Sequence, residues 1–189
     1  MLYPHDSSVA DIEFVAFDFE TTGLVAGKDR IVELGAVRFK GIQELGSFQA
    51  IVNPGIPISA EVVSIHGITT EMVSGKPTLK DVLPDFLGFI KDSVLIAHNA
   101  AFDTGFLRAA LLEEKLPDID NIILDTKDIA KRVFPGERSY GLQNLIAGLG
   151  IKTTAAHRAL EDAKMCMKLF QREVEAMSFL GELSLSELL

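Results

Sequence analysis

The chain has 189 residues, 48% hydrophobic and 24% charged, with a formal charge of −9 and one cysteine. That length suits one compact α/β domain, and a lone Cys166 excludes both a disulfide framework and a CxxC metal cage, pointing to a reducing cytoplasm. The acidic balance argues against a broad basic nucleic-acid surface, though not against an enzyme that grips one chain end through bound cations.

The opening "MLYPHDSSVADIE" is polar and partly acidic, unlike a signal segment. No apolar run approaches the ~20 residues of a membrane span, so no membrane partner is expected. In chain order, the pattern predicts a buried strand over 14–19, then strands over 30–39 and 43–52 joined as a hairpin across Lys40-Gly41. The turn-rich "NPGIPIS" interrupts it, and short helices are expected over 60–65 and 69–73. A longer helix over 78–91 carries the apolar stripe Leu79, Val82, Leu83, Phe86, Leu87 and Ile90. A strand over 93–98, a helix over 100–114 and a strand over 121–126 follow. Two short helices, 127–133 and 140–149, lead to a long one over 159–177 with Ala159, Ala163, Cys166, Phe170, Val174 and Met177 in register. Met165 and Met167 mark Cys166 as a buried helix position. An antiparallel meander feeding alternating strands and helices implies a mixed sheet with helices packed on it. The final "SFLGELSLSELL" is expected to fold back on the domain.

Within "FVAFDFETTGL", Asp18 and Glu20 stand two residues apart, so they share one face of the strand while Phe17 and Phe19 take the other. Paired anions repel, and burial raises their pKa values unless something positive sits between them. Asp103 has Phe106, Leu107 and Ala110 at i+3, i+4 and i+7, which places it on the inward stripe of its helix; Asp162 lies likewise beside Ala159, Ala163 and Cys166. An inward aspartate costs several kcal/mol unless it is paired or holds a metal. No Lys or Arg is expected on these faces. Hard divalent cations such as Mg²⁺ or Mn²⁺ prefer oxygen ligands, and two held together stabilise both oxygens of an in-line phosphoryl displacement. The cluster therefore reads as a seat for two divalent metal ions.

His157 stands five residues before Asp162, and five helical steps turn about 140°, off the shared face. Both reach one site only if His157 lies in the loop or first turn before the helix, which the small residues of "TTAAHRALEDA" allow. A neutral imidazole can accept a proton from an attacking water near physiological pH.

Taken in order, "DFETTGL", "HNAAFDTGFL" and "HRALEDA" resemble the three motifs of the DEDDh 3′→5′ exonuclease family, and the chain is most similar to its epsilon-type members, the proofreading exonucleases of bacterial DNA polymerase III. The likeness runs over 14–177 and includes "IVELGAVRF", "VSIHGIT" and "FPGERSYGLQNL". It implies a ribonuclease-H-like fold, a mixed five-stranded sheet flanked by helices, in a domain over 13–178 with an arm over 1–12 and a tail over 179–189. It also implies release of nucleoside monophosphates from a 3′ end. Carried over by residue, Asp18 would bridge both metals, Glu20 and Asp162 would ligate the first, Asp103 would help hold the second, and His157 would be the general base. Thr21, Thr22, Gly23 and Leu24 would hold the terminal nucleotide, with Gly23 admitting the sugar to the backbone and Leu24 wedged against the last base. Phe102 would pack on the terminal sugar or base, and His66, His98 and Asn99 would line the cleft. Glu33 reads either as a structural group or as one that supports the metal ligands from behind, Asp125 as a helix N-cap, and Arg138, though able to meet a phosphate, as a residue of a solvated turn.

The expected partner is the 3′ end of single-stranded nucleic acid, DNA ahead of RNA, with the DNA polymerase III alpha subunit as a protein partner. Little follows the last helix where polymerase-associated members carry a tail, so a stand-alone exonuclease, including an RNase T-like or oligoribonuclease-like exoribonuclease, remains the alternative. A non-catalytic replisome adaptor would have lost one of the five active groups, and all five are present.

Overall fold

The computed structural model describes residues 3–153 and 157–189. Three strands form the antiparallel meander, β1 (Phe14–Thr21), β2 (Ile31–Lys40) and β3 (Gln43–Ile51), and two more, β4 (Val94–Ala97) and β5 (Ile123–Asp125), lie parallel to β1, giving the order β3-β2-β1-β4-β5. The helices are α1 (Ala60–His66), α2 (Thr70–Val73), α3 (Leu79–Ile90), α4 (Ala101–Glu113), α5 (Thr126–Val133), α6 (Leu142–Gly148), α7 (Ala159–Met177) and α8 (Leu185–Leu188). This is the mixed, helix-flanked five-stranded sheet anticipated from the sequence.

Alternation along β1 divides two cores. Val15, Phe17 and Phe19 point toward α3 and α4, where Leu83, Phe86, Phe106 and Leu107 meet them. Phe14 and Ala16 point the other way and pack with Ala163, Cys166, Met167 and Phe170 of α7. Asp18 and Glu20 continue that second face, so α7 covers a surface that is apolar at one end and acidic at the other.

Element ends shift where side chains are put to other uses. β1 runs on past residue 19 to Thr21 because Glu20 and Thr21 still pair with β2, across a bulge that sets Glu20 opposite Glu33 and Thr21 opposite Ile31. α6 starts at Leu142, not 140, because Tyr140 bonds through its hydroxyl to the Phe134 carbonyl and through its own carbonyl to His98. The β2–β3 turn centres on Gly41-Ile42, with Gly41 at φ +54°, a conformation that suits glycine.

The tail folds back as expected. Leu183, Leu185 and Leu188 are buried in the α7-side core, and the chain ends are laced by Val9 N–H to the Leu183 carbonyl (2.9 Å) and Leu185 N–H to the Ser7 carbonyl (3.0 Å). Among the described residues no helix is long and apolar enough to cross a membrane.

Candidate active site

The acidic end of β1 lies where the sheet opens. β1 pairs with β4 only from Phe14 to Ala16, and past Ala97 the chain turns through Asn99, at φ +67°, into α4. Asp103 of α4 fills the gap, its Oδ1 accepting the Phe19 N–H at 3.0 Å. From the opposite side the first turn of α7 descends onto β2. A Cβ on Gly35, which pairs with Asp18, would lie 2.1 Å from the carbonyl carbon of Ala159, so only glycine lets the helix approach. That approach brings Asp162 over β1, and ligand oxygens of Asp18, Glu20 and Asp162 lie within 4.8 Å of one another.

These carboxylates are electrostatically strained. Burial, then repulsion from Asp103, Asp162, Glu20 and Glu33, raises the Asp18 pKa well above the usual range. Burial and the same neighbours push Glu20 up to about 8, against a smaller pull from Arg158. Burial lifts Asp103 to about 7 even though the Phe19 N–H opposes it, and burial raises Asp162 against the His157 N–H. An oxygen-only set of like charges, half buried and short of cations, fits a hard divalent ion. Asp103 stands beside the trio and not within it, tied by one oxygen to the backbone.

His157 lies outside α7, in the segment before it, as its spacing from Asp162 required. It adopts φ +64°, and its backbone N–H donates to Asp162 Oδ2 at 2.9 Å. The small residues leading into it, 154–156, fall outside the described residues. Two of its neighbours escaped sequence reading. Gln143 Nε2 lies 3.1 Å from His157 Nε2, so the ring is oriented by α6. Arg158 corrects the expectation that no cation shares these faces: its Nε and Nη2 donate to Glu33 at 3.0 and 2.7 Å. Glu33 is wholly buried.

The predicted substrate-contacting residues fall into two groups. Leu24 is 82% exposed, and Phe102 is half-buried against Phe106. Thr21 and Thr22 shape the loop between them: Thr21 Oγ1 donates to the Gly23 carbonyl (2.6 Å), and Thr22 Oγ1 accepts from Arg30 N–H (3.0 Å). Gly23 has an internal reason as well, since a Cβ there would lie 2.5 Å from the Asp29 carboxyl. The histidines face inward. His98 is held through both ring nitrogens, by Thr126 Oγ1 (2.9 Å) and the Tyr140 carbonyl (2.8 Å). His66 is buried, its Nδ1 accepting the Ile68 N–H at 3.0 Å. Asn99 is exposed and accepts from Lys127 Nζ at 3.3 Å. Asp125 caps α5 by accepting the Lys127 N–H and also takes the N–H groups of Asn99 and Ala100, which fixes the turn into α4. Arg138 is exposed.

The exonuclease family model matches residues 15–170. The DNA polymerase III subunit epsilon of Treponema pallidum is 45% identical over 163 residues, covering 84% of this chain and 75% of that protein. The PolC-type DNA polymerase III of Thermotoga maritima is 40% identical over 183 residues; the match takes in 97% of this chain but only 13% of that protein's length. Among solved structures, Exonuclease X in complex with 5′ overhanging duplex DNA superposes with a TM-score of 0.71 at 27% identity, covering 90% of this chain and 95% of that one. The nuclease domain of 3′hExo, a DEDDh family member bound to rAMP, shares the fold with a TM-score of 0.76 at 19% identity, over 91% and 96% of the two chains.

Proposed function

Since the chain belongs to the exonuclease family, we propose that it works as a 3′→5′ hydrolase of the DEDDh kind, releasing nucleoside monophosphates from the 3′ end of single-stranded DNA with two divalent cations, Mg²⁺ or Mn²⁺. The observation that carries this reading is the convergence of Asp18, Glu20 and Asp162, with Asp103 at their side, on the opened end of the sheet. Those four carboxylates would hold the ions, which when bound supply charge stabilisation for the attacking and leaving oxygens of the phosphodiester.

The remaining work belongs to the chain. The exposed imidazole of His157 takes the proton from the attacking water, while its backbone tie to Asp162 holds base and carboxylate at one site. As the water oxygen bonds to phosphorus, the bond from phosphorus to the 3′ oxygen of the preceding nucleotide breaks, and that oxygen takes a proton from solvent, leaving a nucleoside 5′-monophosphate and a new 3′-hydroxyl. Thr21, Thr22, Gly23 and Leu24, with Phe102 across the cleft, seat the terminal nucleotide, and Asn99 lines its edge. His66 and His98 act from beneath, through the backbone they brace. With −9 net charge, grip on the polymer is weak and release frequent, which suits proofreading beside a DNA polymerase III alpha subunit in the cytoplasm.

Digestion of 3′-labelled and 5′-labelled single-stranded DNA, duplex, mismatched primer and RNA tests this directly. Monophosphates released stepwise from the 3′ end, fastest on single-stranded or mismatched DNA, are expected. Faster cleavage of RNA would replace the substrate, and 5′ or internal cleavage would overturn the reading.

A further inference from the structure

The first turn of α7 lacks a cap of its own: Arg158, at the N-cap position, makes no side-chain capping bond. The first of its N–H groups, that of Ala159, is satisfied from elsewhere. Glu33 reaches up from β2 and accepts the Ala159 N–H at 3.1 Å, while its carboxylate also takes the two guanidinium bonds of Arg158 and one from Gln49 Nε2 at 2.8 Å. Four donors thus converge on one wholly buried carboxylate. Two residues along, Gly35 supplies the flat spot on which Ala159 rests. The segment held down carries His157 on one side of Arg158 and Asp162 on the other.

We propose that Glu33 and Arg158 are a positioning pair that seats the first turn of α7, so that His157 and Asp162 already stand over Asp18 and Glu20 before any cation binds. Glu33 acts as a cap supplied from a neighbouring strand, and the planar fork of Arg158 fixes the angle at which the chain enters the helix. The guanidinium also lies near enough to Glu20 for each to stabilise the other's charge. It thereby serves as a fixed positive group at the rim of an otherwise anionic cluster. Glu33 directly faces Glu20 across the ladder, a like-charge pair that would be unfavourable without Arg158.

This inference rests on the exonuclease reading for its catalytic consequence, but the seating itself is read without catalysis. Amide hydrogen exchange is followed in the metal-free wild type, Glu33→Gln and Arg158→Lys, together with kcat and KM on an oligonucleotide. Glu33→Gln keeps the shape and loses the charge; Arg158→Lys keeps the charge and loses the fork. In both variants exchange at His157 and Ala159 is expected to rise about tenfold or more, with the sheet unchanged. kcat is expected to fall about tenfold to a hundredfold at near-constant KM, the scale seen when a group supporting a metal ligand is lost. Unchanged exchange at those two amides would overturn the proposal, as would acceleration spread evenly over α7 and the sheet, which marks a purely structural role. Local acceleration in the variants of a wild type that degrades no nucleic acid would leave the seating intact and overturn the proposed function instead.

Discussion

Helix α7 presents two buried carboxylates in opposite circumstances. Asp162, in its first turn, shares a cleft with Asp18 and Glu20 and accepts the His157 N–H. Glu173, about three turns further on, is wholly buried, and neither of its oxygens has a hydrogen-bond partner among the described residues. Burial, aided by Asp125 and opposed by Arg132, pushes Glu173 up to about 9. Both groups resist ionisation, yet only one sits among other oxygen ligands and donors at an opening of the sheet. A raised pKa alone therefore does not mark a functional carboxylate; company and access do.

That contrast is broken most strongly at its functional end. Asp18→Asn is expected to lower exonuclease turnover roughly 10³-fold, the scale of losing a group that stabilises transition-state charge, with the fold preserved by circular dichroism. Glu173→Gln should leave turnover unchanged, and an equal loss in both would erase the distinction. His157→Ala is expected to cost about 10²-fold in kcat; a variant with the wild-type rate and the wild-type pH–rate profile would remove this residue from the mechanism.

The stability effects are smaller. Gly35→Ala drives a methyl into the backbone of Ala159 and is expected to cost about 1–3 kcal/mol, as overpacking does, which chemical denaturation measures. For Glu173 the folded pKa lies above the unfolded one. Between pH 4.5 and 9 the unfolded chain has released a proton that the folded chain retains, so stability falls as pH rises through that window. Glu173→Gln should remove up to about 1.4 kcal/mol per pH unit of that decline, with or without metal. Asp162→Asn should leave the metal-free melting temperature equal or higher, because repulsion is relieved, but abolish the rise that added Mn²⁺ produces. A large loss of melting temperature in Asp162→Asn would make that carboxylate a structural group like any other.

Much of this arrangement was legible from periodicity. Strand alternation put Asp18 and Glu20 together, and the helical stripes turned Asp103 and Asp162 inward, because both follow from local geometry. What stayed hidden depends on contacts between distant segments. Arg158 looks solvated in "HRALEDA", and its partner lies on β2, far away in sequence. Gly35 reads as an ordinary strand glycine until α7 is laid on it. Gln143 meets His157 only through the docking of α6. The inward face of Asp103 follows from its spacing, whereas its bond to the Phe19 N–H leaves no trace there.

Titration calorimetry of the metal-free protein with Mn²⁺ at pH 7, repeated in two buffers of different ionisation enthalpy, bears most directly on the cluster. Saturable binding with net proton release is expected, since Glu20, pushed up to about 8, holds at pH 7 a proton that a divalent ion must displace, and Asp18→Asn should abolish it. Binding that is absent in the wild type, or identical in Asp18→Asn, would show that the carboxylates of β1 and α7 gather for some reason other than holding metal.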